Sequence, residues 1–171
     1  QKLADQKIAS LAIDLRGHGE SVAQNGQTIN YQNFSDTQQQ QTINDVQAAI
    51  DYLRAQGFAE NKIGVVGASI GANLALQYLS EHPSIPTAVL LSPGLDYHGV
   101  KTEQYARNLA ANQSFLTIAS SDDGYSFDSS RKLYDVATAK KDIGEYAGLG
   151  HGTTMMEKDS KVMDRIIGRL A

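Results

Sequence analysis

The feature that most constrains the fold of this chain is a serine flanked by glycines, which separates a strand-like run from a helix-like run. Residues 62–66 (KIGVV) are largely apolar, and residues 72–79 (ANLALQYL) carry apolar side chains at helical spacing. The pattern Gly-x-Ser-x-Gly at 67–71 lies between these runs. Glycines two residues to either side of Ser69 allow the strand and the helix to approach without a Cβ clash. The sequence therefore predicts a tight strand-turn-helix unit with Ser69 at the turn.

Short apolar runs alternate with amphipathic segments along the whole chain. The predicted strands cover residues 8–14, 62–66, 87–91 and 115–119, with a weaker strand near 143–147. The predicted helices cover residues 37–56, 72–80, 102–111, 127–139 and 154–170. Strands and helices that alternate at these lengths imply right-handed βαβ crossovers and a parallel sheet. We expect a single α/β domain over residues 1–171, with about five strands and with helices on both faces of the sheet.

Composition and charge exclude several classes of function. The 171 residues carry a net charge of −4, and their 15 lysines and arginines are scattered, so we expect no nucleic-acid partner. The chain has no cysteine, which excludes thiolate metal sites and a cysteine nucleophile. No two histidines stand at ligand spacing on one helix, and we expect neither a metal nor another cofactor. No apolar run approaches the roughly 18 residues of a membrane span.

Residues able to carry chemistry follow several of the predicted strands. Ser69 follows the strand at 62–66, the pair Asp122 and Asp123 follows the strand at 115–119, and His151 follows the last, weaker strand. The carboxyl ends of parallel strands meet at one edge of a sheet, where functional residues collect. These side chains could therefore meet despite their separation in the sequence.

Four segments, taken together, resemble the α/β-hydrolase family over nearly the whole chain. They are residues 14–21 (DLRGHGES), residues 67–71 around the serine, the acidic loop at 122–123, and residues 150–152 (GHG) before the final helix. The order serine, acid, histidine matches the order in that family. A serine hydroxyl needs a base within hydrogen-bond reach, and the base needs a carboxylate. The resemblance thus implies Ser69 as the nucleophile and His151 as the base and then the acid.

The resemblance also suggests the other members of the site. The spacing after the strand favours Asp123 as the acid and leaves Asp122 as a turn or cap residue, although Asp122 stays open as the alternative. We expect Asp128 to be the N-cap of the next helix. The backbone N–H of Ile70 is expected to stabilise the oxyanion at the start of its helix. His18 belongs to a loop in which a structural role is expected.

The resembling fold contains a strand that has no counterpart in this sequence. That strand would lie between the strand at 8–14 and the strand at 62–66, and the loop of an earlier strand would supply a second oxyanion donor. Neither precedes Ile8. We therefore expect these residues to be the carboxyl-terminal two-thirds of a longer hydrolase that lacks its first strands here, with a gap at the centre of the sheet.

The segment after the strand at 87–91 bears on the substrate. Asp96, Tyr97 and His98 are expected to line the mouth of a pocket, with a polar surface loop as the alternative. The segment is too short for a large lid, which favours small or flexible esters. The leading hypothesis is a serine hydrolase that cleaves carboxylic esters through an acyl-enzyme. The alternatives are a peptidase, amidase or acyltransferase with the same triad, or a hydrolase-like binding module without catalysis. The expected partner is a small-molecule ester or amide substrate.

Overall fold

The structure is a computed structural model that describes residues 2–171. The helices, in chain order, are α1 (Lys2–Asp5), α2 (Asp36–Gln40), α3 (Ile43–Ala55), α4 (Ile70–Glu81), α5 (Thr102–Arg107), α6 (Gly124–Val136), α7 (Thr154–Lys158) and α8 (Ser160–Leu170). The strands, in chain order, are β1 (Ala23–Gln24), β2 (Gln27–Thr28), β3 (Gly64–Ala68), β4 (Thr87–Leu91), β5 (Asp96–Tyr97), β6 (Val100–Lys101), β7 (Ser114–Ser120) and β8 (Lys140–Tyr146).

A parallel sheet with the strand order β3-β4-β7-β8 forms the centre of the fold. All three strand pairs are parallel, and α4 and α6 connect β3 to β4 and β7 to β8. The prediction of a parallel sheet is confirmed, with four strands where about five were expected. The pairs β1-β2 and β5-β6 are small antiparallel hairpins outside this sheet.

Side chains of β4 alternate between two buried clusters, one on each face of the sheet. Ala88 and Leu90 belong to the cluster formed with α3, α4, α5 and α6. Val89 and Leu91 belong to the cluster formed with α7 and α8. Because successive residues of a strand point to opposite faces, this continuous apolar run is buried on both sides. The predicted cover of helices on both faces is confirmed.

The predicted strand at 8–14 is wrong, because this segment pairs with no strand in the part of the chain that the structure describes. Leu11 and Ile13 are 40% and 42% exposed, where burial was expected. β3 is consequently an edge strand, and Val66 is 44% exposed. An apolar run predicts burial only if a partner covers it, and here a cavity of about 840 Å³ lies between the two segments. That the chain belongs to a longer hydrolase stays a prediction.

An ion pair fastens the loop that follows residues 8–14 to α3. The Arg16 guanidinium donates to the Asp45 carboxylate from Nε at 3.0 Å and from Nη2 at 2.6 Å, and the Arg16 backbone N–H donates at 2.9 Å. His18 stacks on Tyr31 with 3.9 Å between the ring centroids. These contacts give the loop a defined position although the segment before it is unpaired.

Three other elements differ from the sequence prediction. The helix predicted at 37–56 is divided between α2 and α3, where the Thr42 hydroxyl donates to the carbonyl of Gln39. The helix predicted at 154–170 is interrupted at Asp159, which has extended backbone and caps α8 through its side chain. The weak strand near 143–147 is a full edge strand, β8, because seven residues pair with β7. Within residues 2–171, no helix is long and apolar enough to cross a membrane.

Amide hydrogen exchange should separate the paired strands from the open edge. We expect the slowest exchange in β4 and β7, and fast exchange at those β3 amides that point away from β4, because water reaches an unpaired strand edge. Exchange followed by two-dimensional NMR would measure this. Equal protection of β3 amides on both sides would contradict the open edge.

Candidate active site

Three side chains that are far apart in the sequence lie at the carboxyl edge of the sheet. Ser69 directly follows β3, Asp123 lies three residues after β7, and His151 lies in the loop that follows β8. The strands run in the same direction, so their carboxyl ends lie side by side. The arrangement matches the expected position of the site.

Ser69 lies on a strained turn, as its sequence pattern predicts. Its φ of 55° is unusual for a residue with a side chain, and its backbone N–H donates to the carbonyl of Leu91 at 2.9 Å. A Cβ at Gly67 would collide with the backbone of Gly71, so this position needs glycine. A Cβ at Gly71 would meet nothing within 4 Å. The steric need for glycine is therefore real on the strand side of the turn and absent on the helix side.

The backbone N–H of Ile70 opens the first turn of α4. Within residues 2–171, no hydrogen-bond acceptor is found for it. The unpaired amides of a first helical turn carry partial positive charge, which favours an anion placed before them. Ile70 is therefore available as an oxyanion donor beside Ser69.

Asp123 and His151 form a short hydrogen bond, with 2.6 Å between Oδ2 and Nδ1. The side chain of Asp123 is 18% exposed and that of His151 is 46% exposed. Burial acts to raise the pKa of Asp123, but hydrogen bonds outweigh it and hold the pKa below its ordinary value. The donors are Ser126, His151 and Ser92. An ionised Asp123 fixes the proton of His151 on Nδ1 and leaves Nε2 free to accept one.

Ser69 and Tyr97 line the same cavity. A hydrogen bond with Ser69 is one of the influences on the pKa of the Tyr97 phenol, which burial raises most strongly. In the described residues, no hydrogen bond joins Ser69 to His151. Catalytic hydrogen bonds are often loose in an enzyme without substrate, so this geometry does not exclude a Ser69–His151 pair.

Asp122 does different work from its neighbour. Its carboxylate accepts hydrogen bonds from the backbone N–H groups of Gly148 at 2.9 Å and Gly150 at 3.0 Å, and from the hydroxyl of Ser120. The bond from Ser120, supported by backbone N–H donors, lowers the pKa of Asp122. Asp122 thus fastens the loop that carries His151 to the end of β7.

The predicted N-cap at Asp128 is wrong. α6 begins at Gly124, so Asp123 occupies the N-cap position and Asp128 lies inside the helix. The Asp123 side chain makes no capping hydrogen bond, because its carboxylate is turned to His151. The Asp123 carboxylate therefore bonds His151 instead of capping α6.

The three residues predicted at the pocket mouth have different surroundings. Tyr97 and His98 line the same cavity as Ser69. The Asp96 carboxylate accepts from the backbone N–H of Gly99 at 2.7 Å and closes the β5-β6 turn. His98 is half-exposed and lies 3.2 Å from Asp36. The Tyr97 hydroxyl lies 3.0 Å from Ser126 Oγ.

Sequence reasoning missed the polar side chains that hold the loops of this edge. Asn73 is fully buried and bonds Val100 O at 2.9 Å and Gly94 N at 3.0 Å, which fixes the loop that carries Tyr97. Ser92 is also buried, and its Oγ accepts from Gly152 N at 2.8 Å. An asparagine among the apolar residues of α4 was a usable signal, whereas nothing local in the sequence marks Ser92. The described residues contain no group of three or more His, Asp or Glu side chains that could hold a metal ion.

A parallel sheet covered on both faces, with a serine on a strained turn after one strand, defines an α/β hydrolase. The chain belongs to the family described as serine aminopeptidase, S33, whose model matches residues 1–113. No curated protein sequence matches the chain significantly.

Three solved structures share the fold at low sequence identity. SOBER1 of Arabidopsis thaliana is 19% identical with a TM-score of 0.56, and the match covers 80% of this chain and 66% of SOBER1. A Klebsiella pneumoniae protein provisionally named a dienelactone hydrolase is 15% identical with a TM-score of 0.65, covering 81% of this chain and 62% of that one. An acylaminoacyl peptidase of Pyrococcus horikoshii is 15% identical with a TM-score of 0.61, covering 80% and 29%. The chain therefore spans less than two thirds of each of these proteins.

Removal of the Asp122 carboxylate should loosen the histidine loop. In Asp122→Ala, we expect the amides of Gly148 and Gly150 to exchange at least about tenfold faster, because both lose their acceptor. Asp128→Ala, in the same segment, is the matched control and should leave them unchanged. Unchanged exchange in Asp122→Ala would contradict the role of this carboxylate in holding the histidine loop.

The hydrogen bonds from Gly148 and Gly150 to the Asp122 carboxylate should weaken at low pH. Because the pKa of Asp122 is lowered in the folded protein, its contribution is present at neutral pH and is lost as the pH falls through that lowered value. Amide exchange followed over pH should therefore show Gly148 and Gly150 still protected at a pH where an ordinary aspartate is already protonated.

Proposed function

We propose that this protein is a serine hydrolase that cleaves carboxylic esters through an acyl-enzyme intermediate. Ser69 is the nucleophile, His151 the base and then the acid, and Asp123 the carboxylate that orients His151. The observation that carries the proposal is the 2.6 Å bond between Asp123 and His151, at the sheet edge where Ser69 lies on a strained turn. An unrelated packing role would not require a partly buried carboxylate bonded to an imidazole and a strained serine at one edge.

The proposed reaction has two halves. Ser69 Oγ attacks the acyl carbonyl and transfers its proton to His151 Nε2, while the Ile70 N–H stabilises the oxyanion. His151 then gives the proton to the leaving alkoxide, and the C–O bond breaks. Water repeats the sequence on the acyl-enzyme: His151 takes its proton, the acid is released and Ser69 recovers its proton.

We propose an ester and not an amide as the substrate because no large insertion covers Ser69. The segment between β4 and β7 contains a hairpin of two two-residue strands and the six-residue α5, with no larger insertion over Ser69. The provisional name of the Klebsiella protein also favours an ester. The family description and the name of the Pyrococcus protein favour a peptidase, which uses the same acyl-enzyme chemistry.

A fluorophosphonate probe tests the nucleophile directly. In the full-length protein we expect labelling at Ser69, no labelling of Ser69→Ala, and at least about a hundredfold slower labelling of His151→Ala, because the base is lost. His82→Ala removes a histidine that stacks on Tyr78 and should label normally. A folded protein that fails to label would favour the binding module.

The same probe separates the two neighbouring carboxylates. Asp123→Asn should slow labelling at least about a hundredfold, because the imidazole loses the acceptor that fixes its tautomer. Asp122→Asn should slow it less, since this side chain holds the loop and does not touch His151. A larger effect at Asp122 would reverse the assignment.

Matched chromogenic substrates test the leaving group. For one short acyl chain, we expect kcat/KM for the p-nitrophenyl ester to exceed that for the p-nitroanilide by at least about a hundredfold, because an amide nitrogen must be protonated as it leaves. Aminoacyl p-nitroanilides should be poor substrates as well. Anilide cleavage as fast as ester cleavage would identify a peptidase or amidase.

A further inference from the structure

Two serines with strained backbone lie side by side at the carboxyl edge of the sheet. Ser69 follows β3 and Ser92 follows β4, and their φ angles are 55° and 49°. The residues before them, Ala68 and Leu91, pair with each other across the two strands. A residue with a side chain rarely takes a positive φ, and such strain persists only where the surrounding structure enforces it. The proposed reaction uses the first of these serines and gives no role to the second.

Hydrogen bonds connect Ser92 to the backbone on both sides of the site. Ser92 is fully buried, and its Oγ accepts from the backbone N–H of Gly152 at 2.8 Å. Gly152 directly follows His151 in the chain. On the other side, the backbone N–H of Ser69 donates at 2.9 Å to the carbonyl of Leu91, which directly precedes Ser92. Two hydrogen bonds therefore link the backbone of the nucleophile to the backbone of the base.

The other side-chain hydrogen bonds to the backbone N–H groups of the histidine loop come from the end of β7. Asp122 and Ser120 together accept from the three backbone N–H groups of residues 148–150, at 2.9–3.0 Å. These bonds fix the loop relative to the strand that leads to the acid. Among residues 2–171, the bond to Ser92 is the one hydrogen bond found between this loop and the end of β4.

We propose that Ser92 is a positioning residue that sets the approach of His151 to Ser69. The position of the loop relative to Asp123 is held from β7, whereas its position relative to Ser69 depends on the bond from Gly152 to Ser92. A displacement of about 1 Å between reacting groups can cost about a hundredfold in rate. This inference rests on the proposed function, because Ser92 acts through the nucleophile and the base that the function assigns.

Burial makes the loop sensitive to the loss of this one oxygen. Gly152 is buried, so its backbone N–H would have no acceptor in a variant without Ser92 Oγ. A buried donor without a partner is costly, and the loop can recover part of that cost by moving until the N–H reaches water. The movement would carry His151 away from Ser69, since the two residues 151 and 152 share a peptide group.

Rates of fluorophosphonate labelling in the full-length protein test the proposal. We expect Ser92→Ala to label at least about tenfold more slowly than the wild type, because the base is displaced from Ser69. Ser92→Gly should be slowed as much, since it also lacks the oxygen, although glycine takes this φ without strain. Ser120→Ala should be slowed by at most about threefold, because Asp122 still holds the loop at two amides. Ser130→Ala removes another buried serine hydroxyl and should label normally.

NMR on the same variants separates positioning from general loosening of the loop. In Ser92→Ala we expect the Nδ1 proton of His151 to stay in its hydrogen bond with Asp123, and the amides of residues 148–150 to stay protected from exchange. The amide of Gly152 should exchange faster, because it has lost its acceptor. Slow labelling together with an intact Asp123–His151 bond is the expected result, and a purely structural role would lower thermal stability without it.

Normal labelling of folded Ser92→Ala and Ser92→Gly would overturn the proposal. Slow labelling of Ser92→Ala alone would also overturn it, because the cause would then be backbone strain and not the lost oxygen. Equal slowing in Ser120→Ala, or loss of the His151 Nδ1 signal in Ser92→Ala, would show a loosened loop instead. If Ser92→Ala does not fold, Ser92→Gly decides. A wild type that does not label refutes the proposed function, whereas a wild type that labels no faster than its Ser92 variants refutes this inference alone.

Discussion

Parallel pairing of four strands is the constraint on which the rest of this structure depends. β4 and β7 each bond to a neighbour on both sides, and all four strands end at one edge. Helices cover both faces, so a site on this sheet forms at the loops of that edge. Ser69, Asp123 and His151 meet there because the sheet brings strand ends together, although the chain separates them widely.

The same edge shows how neighbouring residues acquire different chemistry. Asp122 and Asp123 are adjacent acids, yet one accepts backbone N–H groups of the histidine loop and the other accepts the imidazole. Their pKa values are lowered by different donors. A turn between β7 and α6 points the two side chains apart, and the surrounding donors then determine which carboxylate is structural and which can act on His151.

The sheet is open on the side of β3 that faces residues 8–14. In residues 2–171, β3 has no strand partner on the side facing residues 8–14, and the unpaired Ile70 N–H lies beside Ser69. The solved relatives are longer than this chain, which covers 66%, 62% and 29% of the three described above. Ser69 follows β3 at this open side, whereas Asp123 and His151 follow β7 and β8 on the other side of β4.

The sequence by itself determined the parallel sheet, most of its helices and the turn at Ser69, because apolar periodicity and glycine spacing are local signals. The candidates Asp123, with Asp122 as the alternative, and His151 came from the resemblance to a family. Only the tertiary structure decided that residues 8–14 form no strand, that Asp128 is not a cap, and that Ser92 and Asn73 hold the loops at the carboxyl edge of the sheet. Residues 8–14 could form a strand only beside a partner strand. Asp128 could be an N-cap only if α6 began after it, and α6 begins at Gly124. Hydrogen bonds between distant segments leave no periodic signal in a sequence. The polar side chains that hold these loops could therefore be identified only from the folded structure.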